Sequence, residues 1–196
     1  MRRFNTFSKY RNVVAKLDKD KSLSFPGTTL NTDGLDSCNM ITASQYFIGF
    51  KSNGNNIGVL SLNEYEKINN GVIPMGRPNI QAHSSTVNDF EFSPFAYDLL
   101  ASVSNDKTLK LWEIPEDGIK ENLNNALVTL VHDENTSGVN MVHFHPTVDN
   151  IISTASLNKV YLWDIENQKI INTFNSENEI QYYSWYIHIY IYLIIN

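Results

Sequence analysis

The chain has 196 residues, with 15 basic and 21 acidic side chains and a net charge of −6. At 42% hydrophobic and 18% charged it carries too much apolar mass for a disordered chain, and nine Gly with one Cys exclude a collagen-like chain or a disulfide scaffold. The lone Cys38 can form neither an internal disulfide nor a thiolate zinc site, which fits a reducing cytosol, and Met1-Arg2-Arg3 runs into mixed polar residues rather than an apolar signal segment.

Charge is spread unevenly. Residues 1–21 hold seven basic side chains (Arg2, Arg3, Lys9, Arg11, Lys16, Lys19 and Lys21) against Asp18 and Asp20, a net of +5, so the remainder carries −11. A basic leader on an acidic body points to docking on an acidic surface. Residues 22–42 are rich in Gly, Thr, Asn and Asp and weakly patterned. Tyr46–Lys51, a Ser52-Asn53-Gly54-Asn55 turn and Ile57–Leu62 then read as a hairpin. Residues 63–79 form a polar connection.

Two stretches repeat. Residues 83–114 and 132–165 each hold a His, a Val-initiated strand, a Pro, an apolar strand, a turn, and a strand ending on Trp and an acid. The offsets are 49 from His83 to His132, 52 from Pro94 to Pro146 and 51 from Trp112 to Trp163. A period near ~50 with Trp-acid closing a strand marks a β-propeller blade. The predicted strands are Val87–Phe92 with a slip after Asn88, Leu99–Ser104, Thr108–Trp112, Val139–Phe144, Ile151–Ser156, Val160–Ile165 and Lys169–Phe174. Ile119–Ala126 reads as a long connection. Ile180–Trp185 begins a further blade, whereas residues 186–196 look unlike any blade segment, an expectation that places an aberrant tail or the end of a truncated gene product near Gln181. The uncharged apolar run there is too short for a membrane helix of about 20 residues.

The fold class is therefore all-β, an incomplete WD-repeat propeller of about three blades and the start of a fourth. Its divisions are a basic segment 1–21, a divergent first blade 22–79, repeat blades 80–130 and 131–175, and residues 176–196. His83, Ser102, Asp106 and Trp112 resemble a hydrolytic triad in composition. In a blade the same types form a structural relay, His to Asp, His to Ser and Ser to Trp N–H, and no oxyanion donors accompany them. Ser104 is the alternative Ser. In the second repeat His132, Thr154, Asn158 and Trp163 take these positions, with Asn158 supplying an uncharged acceptor and a softer relay. His143 and His145 share a strand face, read as polar surface or blade edge rather than a metal site. Gly54–Gly58 lacks the Lys-Ser/Thr of a phosphate loop. No enzyme activity, metal or cofactor is implied, and the acidic body opposes nucleic acid.

Some segments are more specific. Ser8-Lys9-Tyr10-Arg11-Asn12-Val13, Leu35-Asp36-Ser37, Trp112-Glu113-Ile114-Pro115-Glu116-Asp117-Gly118-Ile119 and Phe144-His145-Pro146-Thr147 occur in an order and spacing that resemble the coronins, actin-binding WD-repeat proteins. The resemblance implies a seven-bladed propeller that binds filamentous actin, in the cytoplasm at the actin cytoskeleton, followed by a coiled coil for oligomerisation. Seven blades need about 300 residues, so this chain holds less than half a ring, and no heptad segment is present. The arginines that coronins often carry before Trp-Asp-Ser, and that help contact actin, are replaced here by Gly27-Thr28-Thr29-Leu30-Asn31-Thr32. The basic strip expected to meet actin is Lys9, Arg11, Lys16, Lys19 and Lys21. The rival readings are a general WD-repeat scaffold, joining other proteins through the propeller surface without actin, and a non-functional truncated fragment.

Overall fold

A computed structural model describes residues 39–63, 76–133, 136–186 and 190–194. Among these residues every named element is a β-strand. The first sheet contains β1 (Ile41–Ala43), β2 (Phe47–Asn53), β3 (Asn56–Ser61) and β4 (Asn79–Ile80), hydrogen-bonded in that order. The second contains β5 (Val87–Phe92), β6 (Leu99–Ser104), β7 (Thr108–Glu113) and β8 (Val128–Val131). The third contains β9 (Met141–Phe144), β10 (Ile151–Ser156), β11 (Lys159–Asp164) and β12 (Lys169–Asn175). A hairpin of β13 (Tyr182–Tyr186) and β14 (Tyr190–Ile194) follows. Every pairing between strands of a sheet is antiparallel.

The sheets stack face to face, and alternation decides which neighbour each face meets. Phe47, Ile57 and Val59 of the first sheet pack against Phe90, Leu100 and Trp112 of the second. Ala101, Val103 and Leu109, from the other face of the second sheet, meet Phe144, Ile152 and Trp163 of the third. Ala155 and Val160 then pack on Ile180 and Tyr183. The sequence reading of three blades and the beginning of another is the architecture observed.

Turn chemistry sets the registers. The β6–β7 turn, Asn105-Asp106-Lys107, places Lys107 at φ 68°, the left-handed residue that closes a three-residue hairpin loop. The β10–β11 turn holds only Leu157 and Asn158 between its strands, with Leu157 at φ 51°. The expected slip after Asn88 is a β-bulge, with the register shifting between Val87 and Asp89. The extra residue is used: the Asn88 amide donates to Asn105 Oδ1 (2.7 Å) and to the Val139 carbonyl (2.8 Å), tying the second sheet to the approach of the third. Gly138 completes that junction. Its φ is +143°, and a Cβ there would lie 2.7 Å from Asn105 Oδ1, so only glycine brings the chain past the turn. Gly58 is required by contact: a Cβ would meet the Phe50 ring at 2.3 Å, because Phe50 lies across the strand from it.

Among the differences from expectation, three stand out. The strand predicted from Val139 begins at Met141, because the Val139 amide bonds to the Ser104 carbonyl of the preceding sheet (3.0 Å). Residues 190–194, read as foreign to the fold, form β14 in register with β13. The connection from β7 to β8 is not a free loop. The Leu123 amide donates to the Asn79 carbonyl and the Gln81 amide to the Leu123 carbonyl, both at 3.0 Å, so Leu123 makes a parallel bridge to Ile80 of the first sheet. Ile119, Leu123 and Ala126 pack on the core between those two sheets.

Candidate functional site

The hydrogen-bond set around the second sheet is complete. His83 enters between the first and second sheets, its amide held by the Asn55 carbonyl (3.2 Å). Its Nδ1–H donates to Asp106 Oδ2 (2.9 Å), Ser102 donates to its Nε2 (2.8 Å), and the Trp112 indole N–H donates to Ser102 Oγ (2.9 Å). The network itself assigns that tautomer. Asp106 also accepts from the Ser84 amide (3.1 Å), the Thr108 amide (3.1 Å) and the Thr108 hydroxyl (2.6 Å). Ser104, the alternative Ser, instead accepts from the Asp106 amide (3.0 Å).

Burial pulls the His83 imidazole below its ordinary value despite the carboxylate beside it. Burial alone would raise Asp106, but the hydrogen bonds from His83 and Thr108 hold it well below the usual carboxylate range. A neutral imidazole therefore donates to an ionised carboxylate. Ser102 is 0% exposed and its hydroxyl is engaged by both ring systems, so it cannot meet a substrate. The constellation ties His83 to the strands of the second sheet through buried hydrogen bonds.

In the third sheet the arrangement loses an arm. His132 Nε2 accepts from Thr154 Oγ1 (2.8 Å) and the Trp163 indole N–H donates to that oxygen (2.9 Å). His132 Nδ1–H reaches the Lys107 carbonyl (3.1 Å) rather than a side chain. Asn158, expected as the acceptor, instead donates its amide to the Ser176 carbonyl (2.9 Å). The shorter turn is the cause: Asp106 stands two residues before the start of β7, Asn158 one residue before the start of β11. Burial pushes His132 down to about 4, against the smaller opposing pulls of the Lys107 carbonyl and the Asp133 charge.

A second polar system was not visible in the sequence. Asp89 and Glu91, on β5 at the edge of the second sheet, accept from backbone amides of the third: Val142 to Asp89 (2.9 Å) and Phe144 to Glu91 (3.0 Å). His143 Nδ1 lies 3.4 Å from the same Glu91 oxygen, and the Tyr183 hydroxyl donates to Ser153, whose own hydroxyl donates to the His143 carbonyl. Burial raises Asp89 to about 6. Burial works against a charged His143, yet the Glu91 carboxylate leaves it above its ordinary value. Of the two His read as surface or edge, His145 is buried and His143 is half-buried. His143 sits in this seam, and His145 is buried with its Nδ1 accepting from the Thr147 and Val148 amides.

These opposite shifts predict a titration order. By NMR, the His132 ring proton should report a midpoint near 4, and His143 one above 6.5. The sign for stability follows. A depressed His132 contributes fully above 6.5, and that contribution is lost as pH falls toward about 4. The raised His143 contributes below 6.5 and loses its effect as pH rises through its folded-state value. A His132 midpoint at its ordinary value would mean that solvent reaches the ring and that the packing described here is wrong.

Lys9, Arg11, Lys16, Lys19 and Lys21 lie outside the described residues. Among the described residues no helix is long and apolar enough to cross a membrane.

Comparison with known proteins agrees with this architecture. Residues 77–113 match the family "WD domain, G-beta repeat". Villidin of Dictyostelium discoideum is 32% identical over 162 residues, 82% of this chain and 9% of its own length. Mouse Coronin-7 is 31% identical over 183 residues, 92% of this chain and 18% of its own. A coronin-like protein of Schizosaccharomyces pombe is 28% identical over 84% of this chain and 27% of its own. The chain thus spans about a quarter or less of the curated relatives it matches. The crystal structure of the WD40 domain of Toxoplasma gondii coronin superposes with a TM-score of 0.69 at 22% identity, over 81% of this chain and 40% of that one, a likeness of fold. The repeat match, the coronin relatives along most of the chain and the shared propeller architecture identify this as a WD-repeat chain of the coronin family.

Proposed function

We propose that this chain is an actin filament-binding protein that acts at the actin cytoskeleton of the cytoplasm, through the surface of a rigid propeller rather than through catalysis. The reading rests on the coronin relatives, which align along 84% and 92% of the chain. Stacked sheets tied to one another by buried side-chain hydrogen bonds supply a stiff platform, and stiffness lowers the ordering cost of binding. The basic strip Lys9, Arg11, Lys16, Lys19 and Lys21 steers the platform onto an acidic filament, with buried contacts setting affinity. The division into blades 22–79, 80–130 and 131–175 belongs to the same reading.

The test is co-sedimentation with filamentous actin. Pelleting should weaken several-fold as salt rises from about 0.1 to 0.3 M, because screening shortens the reach of the strip. Replacing the five basic residues by Gln should lower affinity by about tenfold and flatten that salt dependence. Pelleting that ignores both changes would remove charge-guided docking. A chain that captures other proteins but never pellets with filaments would be a scaffold of another kind.

A further inference from the structure

One end of the sheet stack carries an aromatic rim that the relay and the seam leave unused. The β1–β2 turn presents Tyr46, 38% exposed, and the β5–β6 turn presents Tyr97, 38% exposed, and Phe95, 44% exposed. The two Tyr rings meet edge to face at 4.8 Å although they come from different sheets. The turn beneath them is fixed: Ser93 Oγ accepts from the Phe95 and Ala96 amides (3.1 and 3.3 Å). The Ile114 amide donates to the Asp98 carbonyl (2.8 Å), which sets the start of the 115–123 connection beside this turn. That connection curls around a groove of about 580 Å³, with Pro115 and Ile119 as apolar lining and Glu116, Asp117 and Glu121 exposed along it. Among the described residues the one cation lining the groove is Lys120, held by Asp117 (2.7 Å). Asp98 follows Tyr97 directly, and the Ile114–Asp98 bond brings the segment that carries Glu116 to the same turn; with what burial it has, these two carboxylates raise the Tyr97 phenol.

Partly exposed aromatic rings next to carboxylates suit a guanidinium better than any other side chain, since it can stack on a ring and pair with an acid at once. The adjoining groove takes an apolar neighbour. We infer that the Tyr46–Tyr97 rim and the groove along residues 115–123 form a docking site for an extended segment of a partner protein that carries arginine beside an apolar residue. The inference is independent of the actin reading, which uses the N-terminal strip.

Fluorescence anisotropy of the full chain with a fluorescein-labelled Leu-Arg-Leu-Arg-Leu-Arg peptide tests it. Replacing both Tyr46 and Tyr97 by Ser should weaken binding about fivefold or more. Reversing Glu116→Lys with Glu121→Lys should weaken it about tenfold, while Glu177→Lys with Glu179→Lys, the same change in net charge on exposed residues after β12, should alter it less than about twofold. Equal losses from the two reversals would reduce binding to bulk acidity and overturn the site. A Leu-Lys peptide should bind several-fold more weakly, and equal binding would overturn the assignment to arginine. If neutralising Lys9, Arg11, Lys16, Lys19 and Lys21 instead tightens binding about tenfold or more, the chain's own leader is the occupant and the partner assignment fails.

Discussion

Trp112→Ala should lower the unfolding free energy by roughly 3–5 kcal/mol in urea denaturation, the range for truncating a fully buried large aromatic. Trp112 is 0% exposed and lies in the core between the first two sheets. Its loss removes apolar burial from both and leaves Ser102 without its indole donor. Trp112→Phe separates these effects. It keeps a ring in the core and deletes the N–H, so it should cost about 1–2 kcal/mol, the range for unsatisfying one buried partner together with modest repacking. A loss below about 1 kcal/mol for Trp112→Ala would mean that the two sheets do not share this core.

The second large effect sets two turns against each other. Asp106→Ala should cost about 3 kcal/mol, the order found when one partner of a buried, charge-assisted network is removed. Its carboxylate gathers His83, Ser84 and Thr108 into one junction, and the side chain is only 10% exposed. Asn158→Ala, at the corresponding turn of the third sheet, should cost less than about 1 kcal/mol, because one amide-to-carbonyl bond is at stake. Acid should expose the same asymmetry. The depressed Asp106 contributes fully above 3.8 and is lost as pH falls through its lower folded-state value, while the depressed His83 begins to lose its contribution below 6.5. Equal costs at the two turns would show that the carboxylate does not hold the first one.

What could be read in the residues follows from where the signal is local. β5, β6 and β10 match their predicted limits residue for residue, because period-two alternation and turn residues occupy one continuous stretch. β1 and β4, of three and two residues, are too short to show a period. β8 is mostly half-buried or exposed and lacks the apolar face that would mark it. The chemical types of the relay were legible, but the position of its fourth member in the third sheet was not, since one residue removed from a turn re-aims the side chain. The Asp89 and Glu91 seam left no trace: acids at alternate positions look like a solvated strand face, and their partners are amides. The Tyr46–Tyr97 pair, 51 residues apart in sequence, exists only once two sheets stack.

The bridge from Leu123 to Ile80 bears on how this chain tolerates change. Length variation is ordinarily cheapest in connections between strands, and the stretch between β7 and β8 looks like the natural place for it. Here that stretch is a main-chain clasp on the neighbouring sheet, so an insertion between Ile114 and Leu123 that displaces Leu123 would break two main-chain bonds to the first sheet while leaving the shared core in place. The Gln81 and Leu123 amides would then exchange with solvent faster than those of the strands around them.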